Sequence, residues 1–142
     1  MVRLPLECRD ADILAVAEEW TNRLAAEDYA GAWDMLLHRP REVWAPTPDV
    51  LRSRIRECGC EAPTPGQPLR VTPVATAAGA RWLRLPALSR TSDGDTYRGA
   101  GFRGRLDWQL PLNGEWSDLV ASFDLVEDGD TLAFALAALR VP

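Results

Sequence analysis

Residues 101–141, GFRGRLDWQLPLNGEWSDLVASFDLVEDGDTLAFALAALRV, decide the fold. Two dipeptides punctuate the stretch, Asn113-Gly114 and Asp128-Gly129. Such pairs favour two-residue hairpin loops, because type I′ turns need positive φ at both central positions. The stretch therefore reads as three consecutive antiparallel strands. With both loops two residues long, the first hairpin sets Trp108 opposite Leu119, Leu106 opposite Ala121, Gly104 opposite Phe123 and Phe102 opposite Leu125. The second sets Leu125 opposite Leu132, Phe123 opposite Phe134, Ala121 opposite Leu136 and Leu119 opposite Ala138. All of these are apolar or Gly and share one sheet face, whereas Arg103, Arg105, Asp107, Gln109, Asp118, Ser122 and Asp124 fall on the other. A slip of one residue would scramble both sets.

Upstream, the pattern turns helical. Asp10 or Asp12 can cap a helix with Ile13, Val16, Ala17, Trp20 and Leu24 along one stripe. Asp28 can cap a second helix that turns Tyr29, Ala32, Trp33, Leu36 and Leu37 inward and ends at Pro40. Thr47-Pro48-Asp49 is a third start signal, an N-cap followed by Pro and an acid, for a helix to about Cys58 that buries Leu51 and Ile55. Residues 60–67 are a Pro- and Gly-rich connector, and residues 69–75 and 80–85 read as two more strands. Pro73 confines the first of these to an edge. Residues 89–100 read as a polar loop. The sum is one α+β domain over residues 1–142: a curved antiparallel sheet of about five strands packed on two or three N-terminal helices.

Composition excludes several function classes. The net charge of −5 argues against nucleic acid as a partner, since phosphates call for clustered positive charge. All 16 basic residues are Arg, so Schiff-base chemistry and a phosphate-loop lysine are out. No apolar run approaches the roughly 20 residues of a membrane helix, and the N-terminus lacks the apolar core of a signal peptide. Three cysteines, Cys8, Cys58 and Cys60, leave an odd one over and fit a reducing cytoplasm. Cys58 and Cys60 are not spaced as a structural zinc pair, so no metal is expected, and no motif implies a cofactor.

The segment Leu24-Ala-Ala-Glu-Asp-Tyr-Ala-Gly-Ala-Trp-Asp-Met-Leu-Leu37 resembles the helix junction of the nuclear transport factor 2-like (cystatin-like α+β) superfamily. The start near Pro48 and the closing meander extend the likeness over most of the chain. The resemblance implies a cone-shaped domain whose sheet wraps the helices and often leaves an apolar pocket at the open end. It implies either an enzyme of the isomerase, dehydratase or cyclase type on a small hydrophobic substrate, or a binding protein, some bacterial members resembling immunity proteins. Trp20, Trp33, Trp44, Phe102, Trp108, Phe123 and Phe134 are then the candidate pocket lining.

The carboxylates weigh against the enzyme. Asp107, Asp118 and Asp124 all fall on the face away from the cone, and the inward face carries no ionisable residue. Acid–base candidates must then come from the helices or from the first hairpin. His38 stands four residues after Asp34, and Tyr29 offers a hydroxyl; helix capping and core packing are the plainer roles. Trp116 is placed among arginines and acids on the outer face. Arg103, Arg105, Trp116, Asp118 and Asp124 thus form a candidate partner-binding surface, for a homodimer or a foreign protein. The plainer alternative for Trp116 is an indole lying flat over neighbouring Arg stems.

Overall fold

A computed structural model describes residues 1–38, 47–57, 70–81, 84–91 and 101–141. Among these residues the architecture is α+β, three helices and a curled five-stranded antiparallel sheet, four of whose strands follow the helices. The helices are α1 (Asp10–Ala25), α2 (Tyr29–Asp34) and α3 (Pro48–Glu57). The strands are β1 (Leu4–Pro5), β2 (Ala87–Arg90), β3 (Phe102–Leu112), β4 (Glu115–Asp128) and β5 (Thr131–Arg140), in the order β1-β5-β4-β3-β2.

Local chemistry accounts for the helix starts. Arg9, not an Asp, occupies the N-cap of α1; Asp12 sits at the third helical position and its carboxylate accepts from the Arg9 backbone N–H at 3.0 Å. That is the reciprocal arm of a capping box. Asp28 caps α2 as expected, accepting from the Gly31 N–H at 2.9 Å. Thr47 Oγ1 accepts from the Val50 N–H at 3.2 Å at the head of α3. The α1 stripe of Ile13, Ala17, Trp20 and Leu24 is buried against the sheet, and Leu51 and Ile55 bury the inner side of α3.

Most side chains keep their faces, Phe102 and Arg103 excepted, but the pairing does not follow simple counting. Asn113 and Gly114 both have positive φ, at 51° and 85°, and Leu112 pairs with Glu115, so the first turn stands where the sequence puts it. Beyond it a bulge intervenes. Between the Pro111–Trp116 and Gln109–Val120 pairs, one residue of β3 faces three of β4. Ser117 heals the break: its hydroxyl donates to Leu110 O at 2.7 Å and accepts from the Leu119 N–H at 3.1 Å. Trp108 consequently pairs with Ala121, Leu106 with Phe123, and Gly104 with Leu125, each displaced by two from the expected partner.

The second turn lies one residue later than expected. Asp128 pairs with Thr131, which leaves Gly129-Asp130 as the loop with Gly129 at φ 65°. Glycine at the first central position is the type II′ pattern. Leu125 therefore faces Phe134, and Phe123 faces Leu136. Displacement by two leaves every side chain on its face, which is why the sorting survived both errors. A displacement by one does not. An extra residue on β5 near Ala137 brings Ser122 opposite Ala138 and turns Leu139, expected on the polar face, into the core.

Strands expected at 69–75 and 80–85 are not what forms among the described residues. Val71 bridges Leu112, Val74–Thr76 is a 3-10 turn, and Ala78 bridges Glu115. Pro73 offers no N–H to a ladder, and the Val74 N–H goes instead to Asn22 Oδ1 on α1 at 3.2 Å. The edge strand beside β3 is β2, within the region read partly as loop, and residues 92–100 of that loop lie outside the described residues. Gly104 explains how β2 fits. A Cβ there would stand 2.2 Å from Ser89 O, and its φ of 146° disfavours any other residue. The close approach is to a neighbouring backbone, not to the Phe123 ring.

Candidate functional site

The cone interior is packed. Trp20, Phe123 and Phe134 are each 1% exposed. Phe123 meets Trp20 edge-on at 4.9 Å between centroids and Phe134 at 6.4 Å. Edge-to-face contacts of this kind add to burial rather than line a void. Phe102, expected on the inner face opposite Leu125, pairs instead with Val126 across a one-residue bulge and is buried outside the main core cluster; Trp33 is half-buried. Trp44 lies outside the described residues.

The helix-borne acid–base candidates do not converge. His38 falls beyond the end of α2, stacks on Trp33 at 3.7 Å and donates Nε2–H to Trp33 O at 2.7 Å. Asp34 is exposed, and no hydrogen bond or ion pair joins it to His38 among the described residues. The Tyr29 ring is half-buried beneath the Arg52 guanidinium, 5.7 Å away. Capping and packing account for His38 and Tyr29. Among the described residues no cluster of His, Cys, Asp and Glu is arranged for a metal; Cys58 and Cys60 lie outside them.

Along the sheet the charges pair in a register of their own. Arg103 bonds Glu127, not Asp124. Arg105 sits opposite Asp124, yet its Nε–H reaches Asp107 at 3.1 Å and its Nη2–H reaches Ser122 Oγ at 3.0 Å. Ser122 Oγ donates to Asp107 Oδ1 at 2.6 Å and is fully buried. A serine so engaged is clamped rather than nucleophilic, since the carboxylate that accepts its proton is already held by arginine. On the neighbouring strand Ala133 and Ala135 are buried within the single chain, whereas Ala137 is exposed. Asp118 lies in the bulge, where its Oδ1 is buried without a partner among the described residues.

Trp116 leads to a group that sequence reasoning missed. It does not lie over Arg103 or Arg105. The Arg81 guanidinium stands over it, 3.8 Å from the ring centroid, and 4.7 Å from the Trp108 centroid. The position is over-determined by backbone bonds. Ala78 N–H donates to Gly114 O at 2.8 Å and Trp116 N–H to Ala78 O at 3.0 Å, which ties the 70–81 segment to the β3–β4 hairpin. Trp108 is fixed in turn by α1: its Nε1–H donates to Thr21 Oγ1 at 2.9 Å. Arg81 Nε and Nη2 are buried and have no hydrogen-bond acceptor among the described residues. Burial pulls the guanidinium below its ordinary pKa, and the Glu18 carboxylate on α1 partly offsets this. Glu18 also lines a groove of about 540 Å³ along the outer side of α1 with Ala15, Glu19, Asn22, Arg23 and Ala26.

An arginine beside two indoles is a cation–π arrangement, and a guanidinium has no proton to trade near neutrality. No helix among the described residues is long and apolar enough to cross a membrane. No family model matches the chain, and neither the curated proteins nor the solved structures yield a match.

Proposed function

We propose that the chain is a non-catalytic binding protein of the nuclear transport factor 2-like type, which takes a small ligand where the 70–81 segment crosses the β3–β4 hairpin. The observation that carries this reading is Arg81, held against Trp108 and Trp116 with two buried N–H groups unengaged. Leaving charged donors buried and unpaired is expensive, so a folded chain keeps such an arrangement where something else supplies the acceptor. The free, buried thiol of Cys8 suits a reducing, cytoplasmic setting. A thermal-shift screen of a diverse metabolite library tests the proposal, with each stabilising compound recovered and weighed after incubation. A compound returned unchanged is the expected result. Conversion of the compound, lost in His38→Ala or Tyr29→Phe, would replace binding with catalysis.

A second reading has the outer sheet face pairing with another copy of the chain. The pre-set Arg105–Asp107–Ser122 cluster favours it, because groups already held in place lose little freedom on association. Sedimentation of the wild type and of Arg105→Glu decides: a dimer lost in the variant supports it, and a monomer at high concentration removes it.

A further inference from the structure

We infer that residues 1–9 form a strap across the seam between the two edges of the sheet, latched by Arg90, and that the strap opens while the rest of the domain stays folded. β1 and β2 are the opposite edges of the sheet, yet its curl brings them within reach of one side chain. Arg90, the last residue of β2, crosses the seam to the chain leaving β1. Its Nη2–H donates to Leu6 O at 3.1 Å. Its Nη1–H donates to Cys8 O at 2.5 Å and reaches Asp10 Oδ1, in the first turn of α1, at 3.3 Å. One guanidinium thus joins an edge strand, the strap and a helix start. Carbonyl oxygens at a sheet margin need donors, and here a charged side chain supplies them in place of a strand.

Little else holds the strap. Cys8 is the one buried residue in the stretch 1–9. β1 contributes two pairs, Leu4 with Leu132 and Pro5 with Thr131, and Pro5 has no N–H to give. Val2 N–H donates to Met35 O at 3.0 Å, and Arg3 meets Asp128 at 3.1 Å in an exposed ion pair that adds little. A segment with so few buried contacts opens at a lower cost than the core. Its strongest anchors are the bonds from the Arg90 charge, which are worth more than neutral ones. Room for the movement is already present. A groove of about 260 Å³ follows the seam, with Leu6 and Glu7 of the strap on one side and Arg90, Thr91, Arg103 and Leu132 on the other. Opening widens it onto Leu132 and Cys8, both nearly buried when the strap is closed.

The test reads amide exchange residue by residue in the full chain, comparing the Val2 and Cys8 N–H groups with those of the β3–β4 ladder. Thr21→Val lies at the contact of α1 with Trp108, which the open form keeps. It should quicken the ladder amides, which exchange on global unfolding, and leave the strap amides unchanged. Arg90→Ala removes bonds that only the closed form makes, and should quicken the strap amides by about tenfold or more. The Cys8 thiol, 3.8 Å from Arg90 Nη2, gives a second reading. The Arg90 charge lowers the Cys8 pKa, so on electrostatics alone its loss slows iodoacetamide. With Cys58 and Cys60 replaced by Ser, Arg90→Ala should instead label Cys8 severalfold faster than the wild type. Strap amides that quicken in Thr21→Val as the ladder does would exchange only through global unfolding, and that overturns the inference. Strap amides unmoved by Arg90→Ala, or slower labelling of Cys8, overturn it as well. So does an Arg90→Ala chain that fails to fold, since Arg90 would then hold the whole domain and not a latch.

Discussion

Replacing Thr21 with Val tests how α1 is keyed to the sheet. Thr21 is 0% exposed and Trp108 is 3% exposed, so their hydrogen bond is dry. Thr21 Oγ1 also donates to Ala17 O at 2.8 Å. Val has nearly the shape of Thr and a similar helix propensity, so the substitution isolates the hydroxyl. It leaves the indole N–H of Trp108 buried without an acceptor, at a cost of about 1–3 kcal/mol. Against a domain stability of about 5–15 kcal/mol that loss is readily measured. Trp108→Phe removes the N–H at its own cost in packing and in contact with Arg81. Once the N–H is gone, Thr21→Val should cost almost nothing, because no stranded donor remains. The double-mutant cycle should therefore return a coupling of about 1–2 kcal/mol, with the Arg81 contribution cancelling between its arms. Urea unfolding followed by far-ultraviolet circular dichroism is the assay, since fluorescence would change with the indole itself. Additivity of the two substitutions within about 0.5 kcal/mol would refute the reasoning.

Gly104→Ala should destabilise by about 1–3 kcal/mol, because its Cβ meets Ser89 O and β2 must lift; amide exchange should quicken on β2 before the β4–β5 pair. Phe123→Ala empties the centre of the aromatic cluster and should cost about 3–5 kcal/mol in the same urea assay. Burial pushes the Cys8 thiol up, against the opposing charge of Arg90, so iodoacetamide should label Cys8 slowly at pH 8 and fully only in denaturant. Because the folded thiol titrates above the unfolded one, its contribution to stability is present below the unfolded pKa. It should fall as pH rises from that value toward the folded one. The Arg9 backbone N–H holds the Asp12 carboxyl below its ordinary value, so this cap is complete above the unfolded carboxyl pKa. It is lost as pH falls through the folded value, and the stability gap between wild type and Asp12→Asn should close in acid.

The parts of the fold legible in the sequence share a property: they depend on parity rather than on counting. Alternation along β3 and β4 fixes which side chains face the helices, and a bulge that shifts pairing by two cannot disturb it. The Ser117 bulge has no such signature. Its hydrogen bonds to Leu110 and Leu119 join residues whose meeting depends on the turn already being made. Asp128-Gly129 misled for a related reason. A glycine after an acid fits the second place of one two-residue turn and the first place of the next, and the pairing of Asp128 with Thr131 decides between them. Leu139 and Phe102 were lost to the kind of error that parity does not forgive, a displacement by one.

The site was half legible. Trp116 on an otherwise polar face called for a partner, and an indole over an arginine is the right chemistry for that position. The arginine was the wrong one. Arg103 and Arg105 are near in sequence but belong to the ladder of β3 and to its acids Glu127 and Asp107. Arg81 is 35 residues from Trp116, in a segment whose spacing suggests only a short strand. What brings it there is the pair of bonds between Ala78, Gly114 and Trp116, and these follow from the hairpin's shape rather than from any local pattern. The segment is at once part of the core, through Val71, and a strap across the hairpin, through Ala78.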